Sequence, residues 1–365
     1  MSQHLTFRAG KSALSIIQEK GLSPDMVKVI AGAAGGPKWL LLHHLDRIIF
    51  SSWLTPRTSP LFLVGSSAGA WRFAAAAQKS FEIAGEQFLS AYINQCYDSA
   101  PTLQDVAEEM EKIMDAFLND AGIREILEHP YLRLNVLAVR CKGLGASDKI
   151  FPMTLGLGLA VFANLIRRKY LKFFFERALF YDSRDIPPFF EMDEFPIRRI
   201  PLNAPNIRQA LMASGSIPLI ASGVSNIPDA EGMYRDGGVI DYHPDIPFLP
   251  EHSSEYSDEE SRIVLFPHYT DRIIPGWLDK KLFWRKPSSS HIKNVLLVSP
   301  SREFVESLPY SRIPDRQDFK RFQGYDKERI AYWRSVVQRS ECLAEEFWDA
   351  VQTGKIRERV RELKN

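Results

Sequence analysis

The 365-residue chain has little cysteine, almost no excess charge and few long apolar runs, and each shortage argues against a class of protein. The three cysteines lie far apart in sequence, which gives neither a disulfide framework nor the paired spacing of a metal site. So sparse a set favours a reducing, cytoplasmic location. A formal net charge of +1 gives no electrostatic reason to expect a nucleic-acid partner. The first residues lack an apolar segment, so we expect no secretory signal.

The most informative motif is Gly65-x-Ser67-x-Gly69, which follows the apolar run Leu61–Val64 and precedes the alanine-rich helical stretch Ala68–Gln78. A strand, a tight turn and a helix in that order are the context of a nucleophile elbow. Glycine on both sides of the serine removes side chains that would collide with a neighbouring strand or helix. The pattern predicts that Ser67 is a nucleophile. An ordinary Gly/Ser turn is the alternative.

A glycine-rich loop lies upstream, between the strand-like run Met26–Ala31 and the helical stretch Trp39–Ile49. The amides of Gly35 and Gly36 sit at a helix start, where backbone N–H groups have no intrahelical partner. Such donors are suited to stabilise a developing oxyanion. The loop ends in Lys38 but lacks the Gly-Lys-Ser/Thr of a P-loop, and its glycine spacing does not fit a dinucleotide fingerprint. A phosphate cradle and a plain strand–helix turn are the alternatives.

Downstream, Asp236 is followed by Gly237 and Gly238, which leave room for the carboxylate beside another loop. A serine hydroxyl needs an adjacent base, and a carboxylate within hydrogen-bond reach can take its proton. Aspartate is a weak base near neutral pH, so it benefits from a partly desolvated pocket. We therefore expect Asp236 to be the base for Ser67. A hairpin turn is the alternative.

These motifs, in this order and with Ala213–Pro218 shortly before the aspartate, resemble the patatin-like phospholipase family over about residues 27–245. The resemblance implies a three-layer α/β/α sheet with helices on both faces. It also implies a Ser67–Asp236 dyad without histidine, in which the 213–218 segment is a structural loop.

The resemblance further implies that Gly35 and Gly36 form the oxyanion hole. The chain departs from the family loop at two positions that are usually glycine, where it has Ala34 and Trp39. The departure concerns the second oxyanion donor and leaves the nucleophile assignment intact.

Taken together, the motifs and the resemblance predict a lipid acyl hydrolase without metal or cofactor. Its substrates would be esters of phospholipids, lysophospholipids or neutral lipids. An acyltransferase that uses the same acyl-enzyme is one alternative. A catalytically silent lipid-binding protein is another.

Two further constellations offer different chemistry. An α/β-hydrolase triad runs Ser, Asp, His, and it would need one of the histidines that follow the aspartate, which are His243, His252, His268 and His291. Against this, the elbow comes after only one clear earlier strand, whereas an α/β-hydrolase elbow usually follows several. A metal site is the second option, since Asp241-x-His243-x-Asp245 would put three ligands on one face of an extended segment. The prolines in and after this run favour a loop instead.

Two segments concern a membrane surface. Residues 151–166 are almost wholly apolar but short for a bilayer span, and a basic, aromatic stretch follows to residue 175. A buried helix or lid, an interfacial element and a true span are the alternatives. Residues 277–286 combine tryptophans with cations, which suits a headgroup layer, although an exposed loop is the simpler interpretation. Peripheral membrane contact through 151–175 and 277–286 is therefore an expectation.

Strands that alternate with helices indicate a layered α/β fold. We predict a catalytic core over 27–245 and a C-terminal part, 246–365, that completes the sheet and ends in a long helical tail from about Asp326; the two parts form one compact unit. The other predicted helices are Lys11–Lys20, 81–95 and 103–128, and the other predicted strands are Leu132–Cys141, Arg262–Phe266 and Asn294–Val298.

Overall fold

The computed structural model describes residues 3–55, 57–97, 101–192, 194–249 and 262–364. A central mixed sheet of many strands is flanked by helices, which confirms the predicted α/β class. The strands are β1 (Leu5–Ala9), β2 (Val27–Gly32), β3 (Leu61–Ser66), β4 (Leu132–Cys141), β5 (Phe175–Tyr181), β6 (Ile197–Pro201), β7 (Val224–Ile227), β8 (Ala230–Asp236), β9 (Ile263–Pro267), β10 (Val295–Pro300) and β11 (Arg361–Glu362).

The α-helices are α1 (Lys11–Lys20), α2 (His43–Ile48), α3 (Ala68–Ala76), α4 (Phe81–Asn94), α5 (Leu103–Phe117), α6 (Asp120–Glu128), α7 (Ile150–Ile166), α8 (Ile207–Gly215), α9 (Gly238–Asp241), α10 (Ser289–Ile292), α11 (Arg302–Ser307), α12 (Asp318–Arg321), α13 (Asp326–Arg339), α14 (Glu341–Gln352) and α15 (Ile356–Arg359). Shorter helical turns include Gly36–Leu42 and Trp277–Asp279.

The sheet order is β11-β1-β10-β9-β2-β3-β4-β5-β6, and β8 pairs with both β4 and β7. From β10 to β4 all neighbours are parallel, whereas β1 and β5 join this block antiparallel. The parallel strands are almost completely buried, as their near-continuous apolar runs require.

One edge of β4 receives two strands in succession. Strand β3 runs parallel to β4 and ends where Ser66 faces Leu137. Strand β8 runs antiparallel to β4 and ends where Asp236 faces Ala138, the next residue. The carboxyl ends of β3 and β8 therefore meet head to head, which brings together residues that are far apart in sequence.

Helix α3 starts directly after β3 and packs closely on β2 and β3. A Cβ at Gly65 would lie 2.6 Å from the amide nitrogen of Ala70, and one at Gly69 would collide with the backbone of Gly32. Both motif glycines are therefore required by close packing between the strands and the helix.

Three sequence predictions need correction. Strand β1 was missed, although its alternate residues Leu5, Phe7 and Ala9 are buried. The helix predicted over 103–128 is two helices, because Leu118 is extended and the Asn119 side chain caps α6 by accepting the N–H of Gly122.

The predicted helical tail is present from Asp326, but it is not one continuous helix. It breaks into α13, α14 and the short α15, and the chain then turns into β11, which pairs with β1. The final segment is therefore part of the sheet edge.

Helix α7 is not a buried helix. It buries a narrow face that includes Met153, Leu157 and Asn164, and it exposes most of its other large apolar side chains. Within the described ranges, no helix is both long and apolar enough to cross a membrane.

Candidate active site

Ser67 occupies a strained turn between β3 and α3. Its backbone has φ 54° and ψ −127°, which is unusual for a residue with a side chain. Strain of this kind is held in place by the surrounding structure and is common at functional sites. The residue is only 5% exposed, yet it lines two cavities. The hydroxyl is thus held at a position that a bound molecule can reach.

The Ser67 hydroxyl meets the carboxylate of Asp236. Ser67 Oγ donates a hydrogen bond to Asp236 Oδ2 at 2.6 Å, across 169 residues of sequence. The other carboxylate oxygen, Oδ1, accepts the N–H of Gly238 at 2.7 Å. Since both oxygens are engaged, the carboxylate has a fixed orientation towards the serine.

Burial controls the protonation of this aspartate. Loss of solvation raises the pKa of Asp236 to about 6. The hydrogen bonds from Ser67 and Gly238 oppose this rise because they favour the charged form. The positive charges of Arg316 and Lys280 oppose it for the same reason. A carboxylate with this pKa is a stronger base than an exposed aspartate, and it is still mostly ionised at neutral pH.

The segment Ala213–Pro218 supports both residues. Ser214 Oγ accepts the N–H of Ser67 at 2.8 Å and donates to the carbonyl of Leu137 at 2.7 Å. The carbonyl of Ser216 accepts the N–H of Asp236 at 2.9 Å. One turn at the end of α8 therefore fixes the backbone of the serine and of the aspartate at the same time.

The loop before Gly36–Leu42 is pinned through Ala34. The Ala34 N–H donates to the carbonyl of Tyr242 at 2.8 Å, and its carbonyl accepts the Tyr269 hydroxyl at 2.5 Å. Beyond it, Gly36 has φ +54°, a conformation that favours glycine. Among the residues described, the amides of Gly35 and Gly36 donate to no backbone carbonyl. Both glycines line the cavity that contains Ser67.

Ser67 lies between a polar and an apolar cavity. The polar one has a volume of about 210 Å³, and its walls include Gly35, Asp236, Tyr242 and Lys280. The apolar one has a volume of about 530 Å³, and most of its lining is aromatic or aliphatic, including Trp71, Phe88, Tyr92, Val106, Met110, Ile113 and Ile220. Polar side chains also line it, namely Gln95, Arg316, Gln317, Lys320, Gln323 and Asp326.

The histidine alternatives do not reach the serine. His243 Nε2 bonds the Tyr269 hydroxyl at 2.8 Å and its Nδ1 accepts the N–H of Ile274 at 2.9 Å, so both ring nitrogens are used. His268 Nδ1 bonds the backbone of Thr270, and His291 pairs with Asp245. His252 lies outside the described residues. Because burial lowers the pKa of His243 and that of His268, both rings are neutral at pH 7.

The residues predicted as an alternative metal set take separate partners. Asp241 forms a bidentate ion pair with Arg177, His243 bonds Tyr269, and Asp245 bonds His291. No group of three acidic, histidine or cysteine side chains within the described ranges is arranged to hold a metal ion. The alternative hairpin at Asp236 is also absent from the described chain, because Asp236 ends β8 and Gly238 begins α9.

Comparisons with known proteins find little. No protein-family model and no curated protein matches the chain. Among solved structures, VipD from Legionella pneumophila is similar at 12% sequence identity and a TM-score of 0.30. The match covers 73% of this chain, which spans about half (54%) of the VipD chain. The site must therefore be interpreted from its own geometry.

Sequence reasoning missed several residues of the site. Ser214 appeared in the sequence analysis only as part of the 213–218 segment, with no role of its own. Tyr242, Lys280 and Arg316, which line the polar cavity, carry no motif at all. They come from separate loops, and only the folded chain brings them to Ser67.

We predict that Ser214→Ala destabilises the fold and disorders the serine. The change leaves the buried N–H of Ser67 and the carbonyl of Leu137 without this partner, which costs about 1–3 kcal/mol. Chemical denaturation measures the free energy of unfolding, and labelling by a fluorophosphonate probe measures the reactivity of Ser67. Both should fall.

The matched control is Ser216→Ala, because that hydroxyl donates only to the Met212 carbonyl one turn earlier. Loss of this hydroxyl should lower the free energy of unfolding less than Ser214→Ala does, and it should leave fluorophosphonate labelling of Ser67 unaltered. Equal effects of the two substitutions would contradict the supporting role of Ser214.

Proposed function

We propose that this protein is a patatin-like serine acyl hydrolase that cleaves carboxylic esters of lipids. The observation that carries the proposal is the 2.6 Å hydrogen bond between Ser67 Oγ and Asp236 at the junction of a polar and an apolar cavity. In the reaction, Ser67 Oγ attacks the ester carbonyl carbon while its proton passes to Asp236.

The negative oxygen that develops on the carbonyl is stabilised by the amides of Gly35 and Gly36. Collapse of this intermediate breaks the ester bond, and the leaving alcohol takes the proton from Asp236. The acyl group is then bonded to Ser67 Oγ. Water attacks it with Asp236 as base, and the fatty acid leaves.

The apolar cavity supports a fatty acyl chain as the group that is transferred. Its lining of aromatic and aliphatic side chains begins at Ala68, beside the nucleophile. Burial of each methylene group in such a lining contributes about 0.8 kcal/mol. A long-chain ester therefore binds much more strongly than an acetate.

A lipid surface is the proposed site of action. The apolar ridge consists of the large exposed apolar side chains of α7 and its neighbours, namely Ile150, Phe151, Leu155, Leu159, Val161, Phe162, Leu165, Ile166, Phe173, Phe283 and Trp284. Exposed cations follow it, namely Arg167, Lys169, Lys172, Lys281 and Lys286. The chain from Ile150 to Phe175 contains no acidic residue. An apolar surface next to positive charge is complementary to an anionic lipid surface.

We expect that Ser67→Ala and Asp236→Asn each abolish hydrolysis of a p-nitrophenyl ester, because one lacks the nucleophile and the other lacks the base. A fluorophosphonate probe should label the unmodified protein at Ser67 and should not label Ser67→Ala. Circular dichroism checks that both variants are folded. An unlabelled, folded protein without esterase activity would favour a catalytically silent lipid-binding protein.

The pKa of Asp236 predicts the pH dependence. Only the ionised carboxylate accepts a proton, so kcat/KM for an uncharged ester should fall about tenfold per pH unit below pH 6 and reach a plateau above it. A profile measured from pH 4.5 to 8 tests this. A plateau that extends down to pH 4.5 would contradict the base assignment.

We also expect the apolar ridge to bind membranes. The triple variant Phe151→Ser, Phe162→Ser, Trp284→Ser changes side chains that are 79%, 65% and 67% exposed, so the fold should tolerate it. Its partition onto anionic liposomes should fall at least tenfold, since burial of one such side chain contributes about 1.5–3 kcal/mol. Flotation measures the bound fraction.

The control for the flotation experiment is Ile83→Ser on α4, which makes an exposed apolar side chain polar away from the ridge. It should float as the unmodified protein does. A triple variant that floats as well as this control would remove the ridge from the proposal.

A further inference from the structure

Three cations converge on the polar cavity in front of Ser67. Lys38 follows the glycine loop, Lys280 follows the turn Trp277–Asp279, and Arg316 precedes α12. All three line the cavity that contains Ser67 and Asp236. Three separate segments of the chain therefore supply positive charge to one small space.

These cations have no carboxylate partner within ion-pair distance among the residues described. The ammonium of Lys38 lies 4.9 Å from the ring centre of Tyr269, and that of Lys280 lies 3.9 Å from the ring centre of Tyr242. The nearby acid in the wall, Asp315, already accepts the N–H of Gln317 and pairs with Arg321.

Two of the cations act on a buried phenol in the cavity wall. Burial raises the pKa of Tyr242, but attraction of the phenolate by Lys38 and Lys280, together with hydrogen bonds to Tyr269 and Lys280, places the pKa below its ordinary value. Burial also lowers the pKa of Lys280; Tyr242 opposes this, while repulsion by Lys38 and Arg316 adds to it. An anion placed here would relieve that repulsion.

The two cavities match the two ends of an amphiphilic molecule. Ser67 lines both, and so do Gly36, Arg316 and Gln317. A substrate with its ester at Ser67 and its acyl chain in the apolar cavity has its alcohol portion directed to the polar cavity, where the three cations lie.

We propose that Lys38, Lys280 and Arg316 bind the phosphate of a phospholipid whose headgroup carries no cation, such as a phosphomonoester or a glycerol diester. The inference rests on the proposed hydrolase function and goes further by defining the headgroup. A choline group would bring a positive charge into a wall that already holds three, and its one additional acid, Asp315, is already paired.

Inhibition of a soluble ester tests the subsite without a lipid surface. With p-nitrophenyl butyrate as substrate, sn-glycerol 3-phosphate should inhibit competitively and at least tenfold more strongly than phosphocholine or glycerol. Lys280→Met and Arg316→Gln should each weaken that inhibition about tenfold, because a hydrogen bond to a charged group contributes about 1.5–3 kcal/mol. The control Lys355→Met removes an exposed cation that lines neither cavity, and it should leave the inhibition unchanged.

Lipids with identical acyl chains distinguish a headgroup from free phosphate. In neutral-detergent micelles, kcat/KM should be at least tenfold higher for phosphatidic acid than for phosphatidylcholine or diacylglycerol. Inhibition by inorganic phosphate together with equal rates on the three lipids would assign the cations to free phosphate and overturn the proposal. Equal inhibition by phosphocholine would overturn it as well.

A binding measurement separates this inference from the proposed function. Titration of Ser67→Ala with sn-glycerol 3-phosphate by calorimetry requires no turnover, so it reports on the subsite even if no ester is hydrolysed. Binding that Arg316→Gln weakens in this background supports the subsite. The absence of binding contradicts it, whatever the outcome of the esterase assays.

Discussion

The register of two strands on β4 determines the site. Strands β3 and β8 run in opposite directions along the same edge of β4. Strand β3 ends opposite Leu137 and β8 ends opposite Ala138, so their last residues must face each other. The Leu137 carbonyl, free at this junction, is taken by Ser214, whose hydroxyl also holds the amide of Ser67. A shift of either strand by one residue would turn its side chains to the other face of the sheet. The contact between Ser67 and Asp236 is therefore a property of the whole sheet.

The burial that raises the pKa of Asp236 has a cost in stability at neutral pH. Its pKa is about 6 in the folded chain and near 3.9 in an unfolded one, so folding favours the protonated form. This contribution to stability is full below pH 4 and is lost as the pH rises through 6, with a total of about 3 kcal/mol. At neutral pH the ionised carboxylate is thus a source of strain. Lys280 and Arg316 offset part of it, because their charges stabilise the ionised carboxylate of Asp236.

The sequence pattern predicted those parts of the site whose geometry depends on steric contacts between residues close together in sequence. The ends of β3 and α3 follow from the glycines around Ser67, and the position of Asp236 follows from the two glycines after it. The sequence did not reveal the roles of Lys280 and Arg316, because no spacing links loops that meet only in the folded chain. It also gave no sign that the tail returns to the sheet, because β11 has two residues and depends on pairing with β1. The sequence pattern could not predict the role of residues that are positioned only by contacts between distant parts of the chain.

One buried carboxylate connects the apolar ridge to the polar cavity that contains Ser67. Asp279 accepts a hydrogen bond from Asn164 on α7 at 2.8 Å and pairs with Arg168, while Arg285 donates to the Asn164 carbonyl at 2.8 Å. Trp277, two residues before it, and Lys280, directly after it, line the cavity of Ser67. A force on α7 from a lipid surface would therefore act on the cavity wall through a short, charged contact rather than through a flexible loop. Under the proposed function, the element that meets the membrane and the cation that meets the headgroup belong to one hydrogen-bonded unit. Such a unit would align the lipid before its ester reaches the serine.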